Sequence, residues 1–189
     1  KDKNKDKNKD KNKDKNKDRL YDIANTKIAI YANSYGEHVA PLVSYLVPHN
    51  INRDTVHWLS HSIAKVPKVK ASMIWNGVLD NYPYVNGTGV FDIKVNLEDA
   101  QLKPYYGWPL IKSVDGILNF HQDMFQAQVL NAEVKGVKTN NTVITIPHMH
   151  GKHTLHWIKA DADLTGNGAQ VRDFLLSTPL KDNFNGLFS

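Results

Sequence analysis

Four histidines fall within nine positions of the stretch IPHMHGKHTLHW, residues 146–157, at His148, His150, His153 and His156. Imidazole is a zinc ligand, and a zinc site needs three or four ligands that converge at about 2.0–2.1 Å. His148 and His150 would share one face of a strand, because side chains alternate along it. His150 and His153 flank Gly151-Lys152, which is typical of a hairpin turn, and could meet across it. A metal held there would indicate a metal-dependent hydrolase.

The rest of the stretch does not favour a metal site. Between residues 146 and 160 there is no Cys, Asp or Glu that could complete a set of ligands. Beyond the turn, His153 shares a strand face with Leu155 and Trp157, whereas His156 lies on the other face. We therefore interpret the histidines as solvent-facing strand and turn residues, and we predict that the protein binds no metal.

Other catalytic patterns are weak. Asp161 and Asp163, in the stretch DADL, would share a strand face and could act as the paired carboxylates of an acid–base mechanism. Acids on a polar strand face are, however, far more often structural. The sequence contains no Gly-Xaa-Ser-Xaa-Gly turn, no Walker loop and no His-Glu-Xaa-Xaa-His motif. We predict that the protein is not an enzyme and has no cofactor.

The charge of the chain is concentrated in residues 1–18, a KDKN repeat with nine Lys and five Asp. The other residues carry 15 basic and 14 acidic side chains, so the formal net charge of +5 leaves the body of the protein nearly neutral. A segment without apolar side chains cannot bury a core, and we predict that residues 1–18 are disordered. The repeat also lacks Arg and aromatic residues, which nucleic-acid-binding arms use for phosphate recognition and base stacking. We therefore predict no nucleic-acid partner.

Composition also limits the compartment and the membrane topology. The chain has no cysteine, which excludes a disulfide framework and fits the cytosol or a periplasm. No apolar run approaches the ~20 residues that span a bilayer, and no signal-peptide pattern opens the chain. Because the chain begins inside a repeat, we expect a fragment of a longer protein, with residues 19–189 as one module. Any membrane anchor would then lie outside it.

Most of the body alternates between apolar and polar residues, as strands with one apolar face do. The apolar sets are Ala71, Met73, Trp75 and Leu79; Phe91, Ile93, Val95 and Leu97; Val114, Leu118 and Phe120; Phe125, Ala127 and Val129; and Ala132 and Val134. Turn signals separate these runs: NGTG at 86–89, HQD at 121–123 and TNN at 139–141. We predict a mainly β protein, an antiparallel meander.

Helical spacing occurs in two stretches and is possible in a third. Asp54 is a plausible cap for a helix over residues 54–65, and Asn167 for a helix that ends before Pro179. Residues 36–47 could form another short helix, interrupted by Pro41. Two or three short helices cannot cover the apolar face of so many strands. A closed domain would need a second sheet to cover it.

The stretch YYGWPLI, residues 105–111, should interrupt the strands. Gly107 permits an unusual backbone conformation, and Pro109 lacks the N–H group that a strand ladder needs. We predict a structural corner where the rings of Tyr105, Tyr106 and Trp108 pack as a cap at the edge of the sheet. An aromatic ligand cage is the alternative interpretation.

Several motifs resemble, in order, the YhdP branch of the AsmA-like proteins of the Gram-negative envelope. They are the helix around Trp58-Leu59, Gly-Val-Leu at 77–79, Tyr-Pro-Tyr at 82–84, Gly-Trp-Pro at 107–109, Gly-Ile-Leu-Asn-Phe at 116–120 and Ser-Thr-Pro-Leu at 177–180. The resemblance covers nearly everything after the repeat. Two features depart from it: Lys65 stands where such sequences usually have Gly, and the chain opens with a charged repeat.

This resemblance implies a curved, twisted, open sheet that forms a groove, apolar inside and polar outside. It also implies a periplasmic part of an inner-membrane-anchored protein that carries phospholipid toward the outer membrane. The fragment would reach the membrane through segments outside it. The residues expected to line the groove are Phe91, Ile93, Val95, Leu97, Leu118, Phe120, Phe125 and Val129. Gly107, Trp108 and Pro109 are expected to form a structural motif.

A one-sided apolar sheet with few helices meets the needs of a lipid conduit without any catalytic residue. Moving two acyl chains with ~30 methylenes through water costs on the order of 24 kcal/mol, at ~0.8 kcal/mol per CH₂, and a continuous apolar trough removes most of that barrier. Two alternatives stay open. One is a closed β-sandwich that serves as a structural or interaction module of the envelope, and the other is the metal-dependent hydrolase.

Overall fold

The structure is a computed structural model that describes residues 25–37, 61–104, 106–149, 158–184 and 186. The strands are β1 (Lys27–Glu37), β2 (Ile63–Lys65), β3 (Lys68–Val78), β4 (Val90–Leu102), β5 (Ile111–His121), β6 (Met124–Val134), β7 (Val137–Ile146) and β8 (Lys159–Thr165). A 3₁₀ turn, Leu79–Asn81, follows β3, and two helices, α1 (Gly168–Leu176) and α2 (Lys181–Phe184), follow β8. The mainly β fold with few helices is confirmed.

All of these strands belong to one open antiparallel sheet. The order is β1-β3-β4-β5-β6-β7-β8, and β2 pairs with the end of β4. From β3 onward each strand pairs with the next one in the sequence, as the predicted meander requires. No second sheet occurs among the described residues, so they give the sandwich alternative no support.

Two of the connections are two-residue hairpins. Gln122-Asp123 joins β5 to β6, within the predicted turn HQD, and Gln122 has a φ of 52°. Lys135-Gly136 joins β6 to β7, and both residues have positive φ, 53° and 78°, which matches the twist of the flanking strands. The turn predicted at 139–141 is wrong, because those residues lie inside β7. Glycine adopts positive φ at little steric cost, so the chain reverses at Gly136 instead.

Helix α1 begins where the sequence predicts. The Asn167 side chain accepts a hydrogen bond from the Gln170 backbone N–H at 2.9 Å, and the Gln170 side chain accepts one from the Asn167 N–H at 2.8 Å. This capping box satisfies two N–H groups that the helix would otherwise leave unpaired.

The other helix predictions fare differently. The helix predicted over 54–65 is wrong at its end, since Ile63–Lys65 is β2, and Ile63 pairs with Leu102 and packs on the core. Residues 54–60 lie outside the described residues. In the predicted helix at 36–47, Gly36 and Glu37 belong to β1 and the remainder lies outside the described residues, as does the repeat at 1–18.

Most of the buried apolar side chains form two clusters at opposite ends of the central strands, and Phe125, Ala127 and Val137 are buried outside them. The aromatic cluster consists of Trp75, Tyr84 and Phe91, with Tyr82 packed against it. The aliphatic cluster consists of Val66, Leu97, Ala100, Val114 and Ala132.

Candidate functional site

The eight residues predicted to line a groove lie on one face of the sheet. Ile93 is opposite Phe120, and Phe120 is opposite Phe125. In the next rows Val95 is opposite Leu118, and Gly116 lies between Leu97 and Val129. Directly opposed residues of an antiparallel pair point to the same side, and alternation along β4 adds Phe91. We call this side the apolar face.

The apolar face extends over strands that the predicted groove did not include. On β3, Ala71 is opposite Val95 and Met73 is opposite Ile93. On β7, Ile144 is opposite Ala127 and Ile146 is opposite Phe125. Smaller side chains continue the rows on the outer strands: Ala32 and Ser34 on β1, and Ala160 and Ala162 on β8. The alternation in the sequence already marks Ala71 and Met73, but only the register shows which groove residues they stand beside.

Exposure divides the apolar face into covered and open parts. Phe91, Leu97 and Phe125 are buried, whereas the other five predicted groove residues are partly exposed. On the apolar face, the partly exposed residues of β3, β4 and β5 form two complete rows between the two clusters. We call these rows the central track: Ala71, Val95 and Leu118, and Met73, Ile93 and Phe120.

The aromatic cluster bounds the central track on one side. The ring of Phe91 meets the rings of Trp75 and Tyr82 edge-on, with centroids 5.3 Å and 5.0 Å away. The indole N–H of Trp75 donates a hydrogen bond to the Tyr84 hydroxyl at 2.9 Å. Edge-to-face aromatic pairs of this kind add stabilisation beyond the area they bury. The cluster is therefore a well-packed border of the track.

The environment of Tyr82 is apolar enough to change its acidity. Burial raises the pKa of the Tyr82 phenol well above its ordinary value, and the nearby carboxylate of Asp123 raises it further. Asp123 belongs to the β5–β6 hairpin, so the aromatic cluster reaches from β3 to the end of β5. Tyr82 accordingly remains neutral at physiological pH.

The aliphatic cluster bounds the track on the other side, where the strands are irregular. The register shifts between Leu97 and Ala100 on β4, and Asp99 there has a φ of 50°. A second shift follows on β5, where Ser113 also has a φ of 50°. Such bulges add a residue and bend the strand. They let apolar side chains three residues apart, such as Leu97 and Ala100, enter the same core.

The opposite face of the sheet is mainly polar, although Ile74 and Ile117 also lie on it. One row across it contains Lys94, Asn119 and Gln126. Asp161 pairs with Lys159 at 3.1 Å, and Asp163 accepts a hydrogen bond from the Asn141 side chain at 3.1 Å. The two carboxylates weighed as a catalytic pair therefore each have a partner on this polar surface.

The histidine stretch is described only at its start. His148 is exposed and its Nδ1 lies 3.3 Å from the Asp123 carboxylate, which also accepts a hydrogen bond from the Met149 N–H at 3.1 Å. His150, His153 and His156 lie outside the described residues. Within the described ranges, His, Asp and Glu side chains form no group of three that could hold a metal ion. The absence of a metal stays a prediction.

The Gly-Trp-Pro motif lies in the connection between β4 and β5. Gly107 has a φ of +81°, and a Cβ added there would lie 3.3 Å from Pro179, next to the end of α1. Trp108 and Pro109 are partly buried, but Tyr106 is 90% exposed. The predicted packing of Tyr106 in an aromatic cap is therefore wrong, because a ring this exposed makes little contact with other side chains. Tyr105 lies outside the described residues.

In the part of the chain that the structure describes, no helix has the length and apolar character needed to cross a membrane. The fold and the apolar face define a β protein built on one open antiparallel sheet with a polar side and an apolar side. The chain belongs to the YhdP family, whose family model, YhdP protein, matches residues 7–189. The predicted family is thus confirmed.

One similar protein is the Intermembrane phospholipid transporter YhdP of Escherichia coli (strain K12), with 28% identity over 137 residues. The match covers 72% of this chain and 10% of that protein, so the chain spans about a tenth of the length of its curated relative. No solved structure matches the chain.

Proposed function

We propose that this chain is one module of a bridge-like phospholipid transporter. Its apolar face lines a groove through which lipid passes between the inner and outer membranes of a Gram-negative envelope. The observation that carries the proposal is the central track, in which six apolar side chains on three adjacent strands are in register and partly exposed. The activity named for the Escherichia coli relative supports phospholipid as the cargo.

The geometry of the sheet suits acyl chains that lie across the strands. Neighbouring strands are ~4.8 Å apart, so the seven strands of the sheet order span roughly 29 Å, of which the central track occupies three adjacent strands. Apolar side chains along each row replace the water around an acyl chain, which stabilises the bound lipid by ~0.8 kcal/mol for each methylene that is covered. A lipid can advance from one strand to the next without exposing many methylenes at once.

Other parts of the proposal concern the surroundings and the chemistry of the module. The polar face contacts the aqueous periplasm, and segments of the protein outside this chain supply the inner-membrane anchor. Passage of lipid along an apolar surface makes and breaks no covalent bond, so the module acts without catalytic residues or a cofactor. Nucleic acid is not among its partners, because the body of the protein is nearly neutral.

Site-specific photo-crosslinking in cells tests the proposal. A photoreactive amino acid replaces Ile93 or Leu118 in the full-length protein, and the captured molecules are identified by mass spectrometry. Lys94 and Asn119 are matched controls, since each is the next residue on the same strand and points to the opposite face. Phospholipid adducts at Ile93 and Leu118, without adducts at the controls, are the expected result.

Two other results would overturn the proposal. Equal lipid labelling of both faces would show nonspecific contact with membrane. Crosslinks from Ile93 and Leu118 to protein, with no lipid captured, would favour the alternative of a closed structural or interaction module, because a second protein layer would then cover the track.

A further inference from the structure

The connection between β3 and β4 folds back over the apolar face. Its first residue is tied to the start of β1 by a hydrogen bond from the Leu79 N–H to the Thr26 carbonyl, 3.1 Å long. Within the loop, the Tyr84 N–H donates to the Asn81 carbonyl at 2.8 Å and the Gly87 N–H donates to the Tyr84 carbonyl at 2.9 Å. These bonds fix the backbone of the 79–87 loop on both sides of Tyr84.

The ring of Tyr84 packs against the sheet at a place where two glycines leave room for it. A Cβ added to Gly77, on β3, or to Gly89, just before β4, would lie 2.6 Å from atoms of the Tyr84 ring. Any side chain at these positions would displace the ring. Tyr84 itself has a φ of 62°, a costly backbone conformation for a bulky residue that persists where the surroundings hold it. Its 1% exposure shows how fully the ring is enclosed.

The loop covers the end of the apolar face and stops at a definite row. Trp75 and Phe91 are opposite each other and both are buried, with Phe91 1% exposed. Met73 and Ile93 form the next row, two residues along each strand, and both are partly exposed. The border between covered and open surface therefore falls between Phe91 and Ile93, about 7 Å apart along β4.

We infer that the 79–87 loop is a fixed margin of the lipid track and that Tyr84 is the positioning residue that holds it in place. Acyl chains contact Ile93 and Met73 but not Phe91 or Trp75, although alternation puts all four on the same face. The inference rests on the proposed function and adds to it a lateral limit, which keeps lipid in the rows between the aromatic and aliphatic clusters.

The test uses a phospholipid that carries a diazirine in one acyl chain. The detergent-solubilised protein is mixed with this lipid and photolysed, and peptide mass spectrometry locates the labelled residues. The residues whose labelling is measured therefore keep their natural side chains. The parent protein is compared with Tyr84→Ala and with Tyr106→Ala, a matched loss of a tyrosine ring from the exposed turn before Gly107. Circular dichroism establishes that each variant is folded.

In the parent and in Tyr106→Ala, we expect adducts on Ile93 and Leu118 and background labelling on Trp75 and Phe91. In Tyr84→Ala, labelling of Trp75 and Phe91 should rise to the level of Ile93. If Tyr84→Ala does not fold, Tyr84→Leu replaces it, because leucine keeps an apolar side chain in the loop but loses the ring and its hydrogen bond to Trp75.

The remaining outcomes separate this inference from the proposed function. Labelling of Phe91 equal to that of Ile93 in the parent, or no rise in the Tyr84 variant, would overturn the margin while leaving lipid in the groove. Absence of adducts from the whole apolar face would overturn the proposed function, and the margin with it.

Discussion

The carboxylate of Asp115 on β5 accepts a hydrogen bond from the backbone N–H of Asp99 on β4, with 2.9 Å between the two atoms. Asp99 lies in the bulge between Leu97 and Ala100, where its positive φ interrupts the ladder. A shift of one residue in the pairing of β4 with β5 would move every later side chain of β4 to the other face of the sheet. The Asp115–Asp99 contact thus stands at the point where the bulge keeps Ala100 in the core.

We expect the change Asp115→Ala to lower the free energy of unfolding by about 1 kcal/mol, since it removes the acceptor for the Asp99 N–H. Asp115→Asn keeps a side-chain oxygen in the same place and should cost less. Urea unfolding followed by circular dichroism measures both values. If the two variants lose the same stability, the hydrogen bond does not hold the bulge.

A charge in the central track should impair lipid capture more than folding. In Ile93→Asp or Leu118→Asp the carboxylate can reach water, because both positions are partly exposed. In Val114→Asp, within the aliphatic cluster, a buried unpaired carboxylate costs several kcal/mol, a large share of an ordinary stability of about 5–15 kcal/mol. We expect the first two variants to fold but to lose lipid crosslinking, and the third to unfold.

Melting temperature and crosslinked lipid are the two measurements for this comparison, with Lys94→Asp as the control on the polar face. Unfolding of the Ile93 and Leu118 variants to the same extent as Val114→Asp would contradict an open track. So would normal lipid capture by folded Ile93→Asp and Leu118→Asp proteins.

The double change of His148 and His150 to Asn should leave thermal stability nearly unaltered. The His148 side chain is largely exposed, so water screens its pair with the largely buried Asp123, and the pair contributes about 1 kcal/mol. Asp123 keeps the hydrogen bond from the Met149 N–H when His148 is changed. Adding a chelator at neutral pH should have no effect on the melting temperature. A chelator-induced unfolding transition, or zinc present in a fixed ratio after purification without a His tag, would show that the prediction of no metal is wrong.

Tyr82 should make the protein sensitive to alkali. Burial raises the pKa of its phenol in the folded state above the unfolded value of about 10, so the resulting stability is present below that pH and is lost as the pH rises further. We expect the free energy of unfolding to fall above pH ~10, and Tyr82→Phe to reduce this fall. Urea unfolding over a pH series measures both, and identical pH profiles for the two proteins would count against a buried Tyr82.

The local pattern of the sequence is enough to find the central strands β3 to β6 and the side chains on them that share a face. Phe91, Ile93, Val95 and Leu97 alternate with polar residues, and the pleat of a strand turns that alternation directly into an apolar side. The start of α1 is equally local, since Asn167 and Gln170 form the capping box within one turn. Both depend on contacts between residues close in the chain.

Other features could not be found in this way. Ile63–Lys65 has helical spacing but forms a strand, because pairing with β4 and packing on the core outweigh local preference. The bulge at Asp99 depends on a partner sixteen residues away in the chain. The apolar–polar alternation along β4 does not show at which residue an extra position is inserted.

Sequence by itself determined that Phe91 and Ile93 lie on the same apolar face. Only the tertiary structure decided that Phe91 is covered and Ile93 is partly open, because the 79–87 loop forms the cover. Its Tyr82 ring packs edge-on against Phe91, and its Tyr84 ring fits against Gly77 on β3 and Gly89 just before β4. Alternation is a property of one strand, whereas burial is set by whatever the rest of the chain places above it.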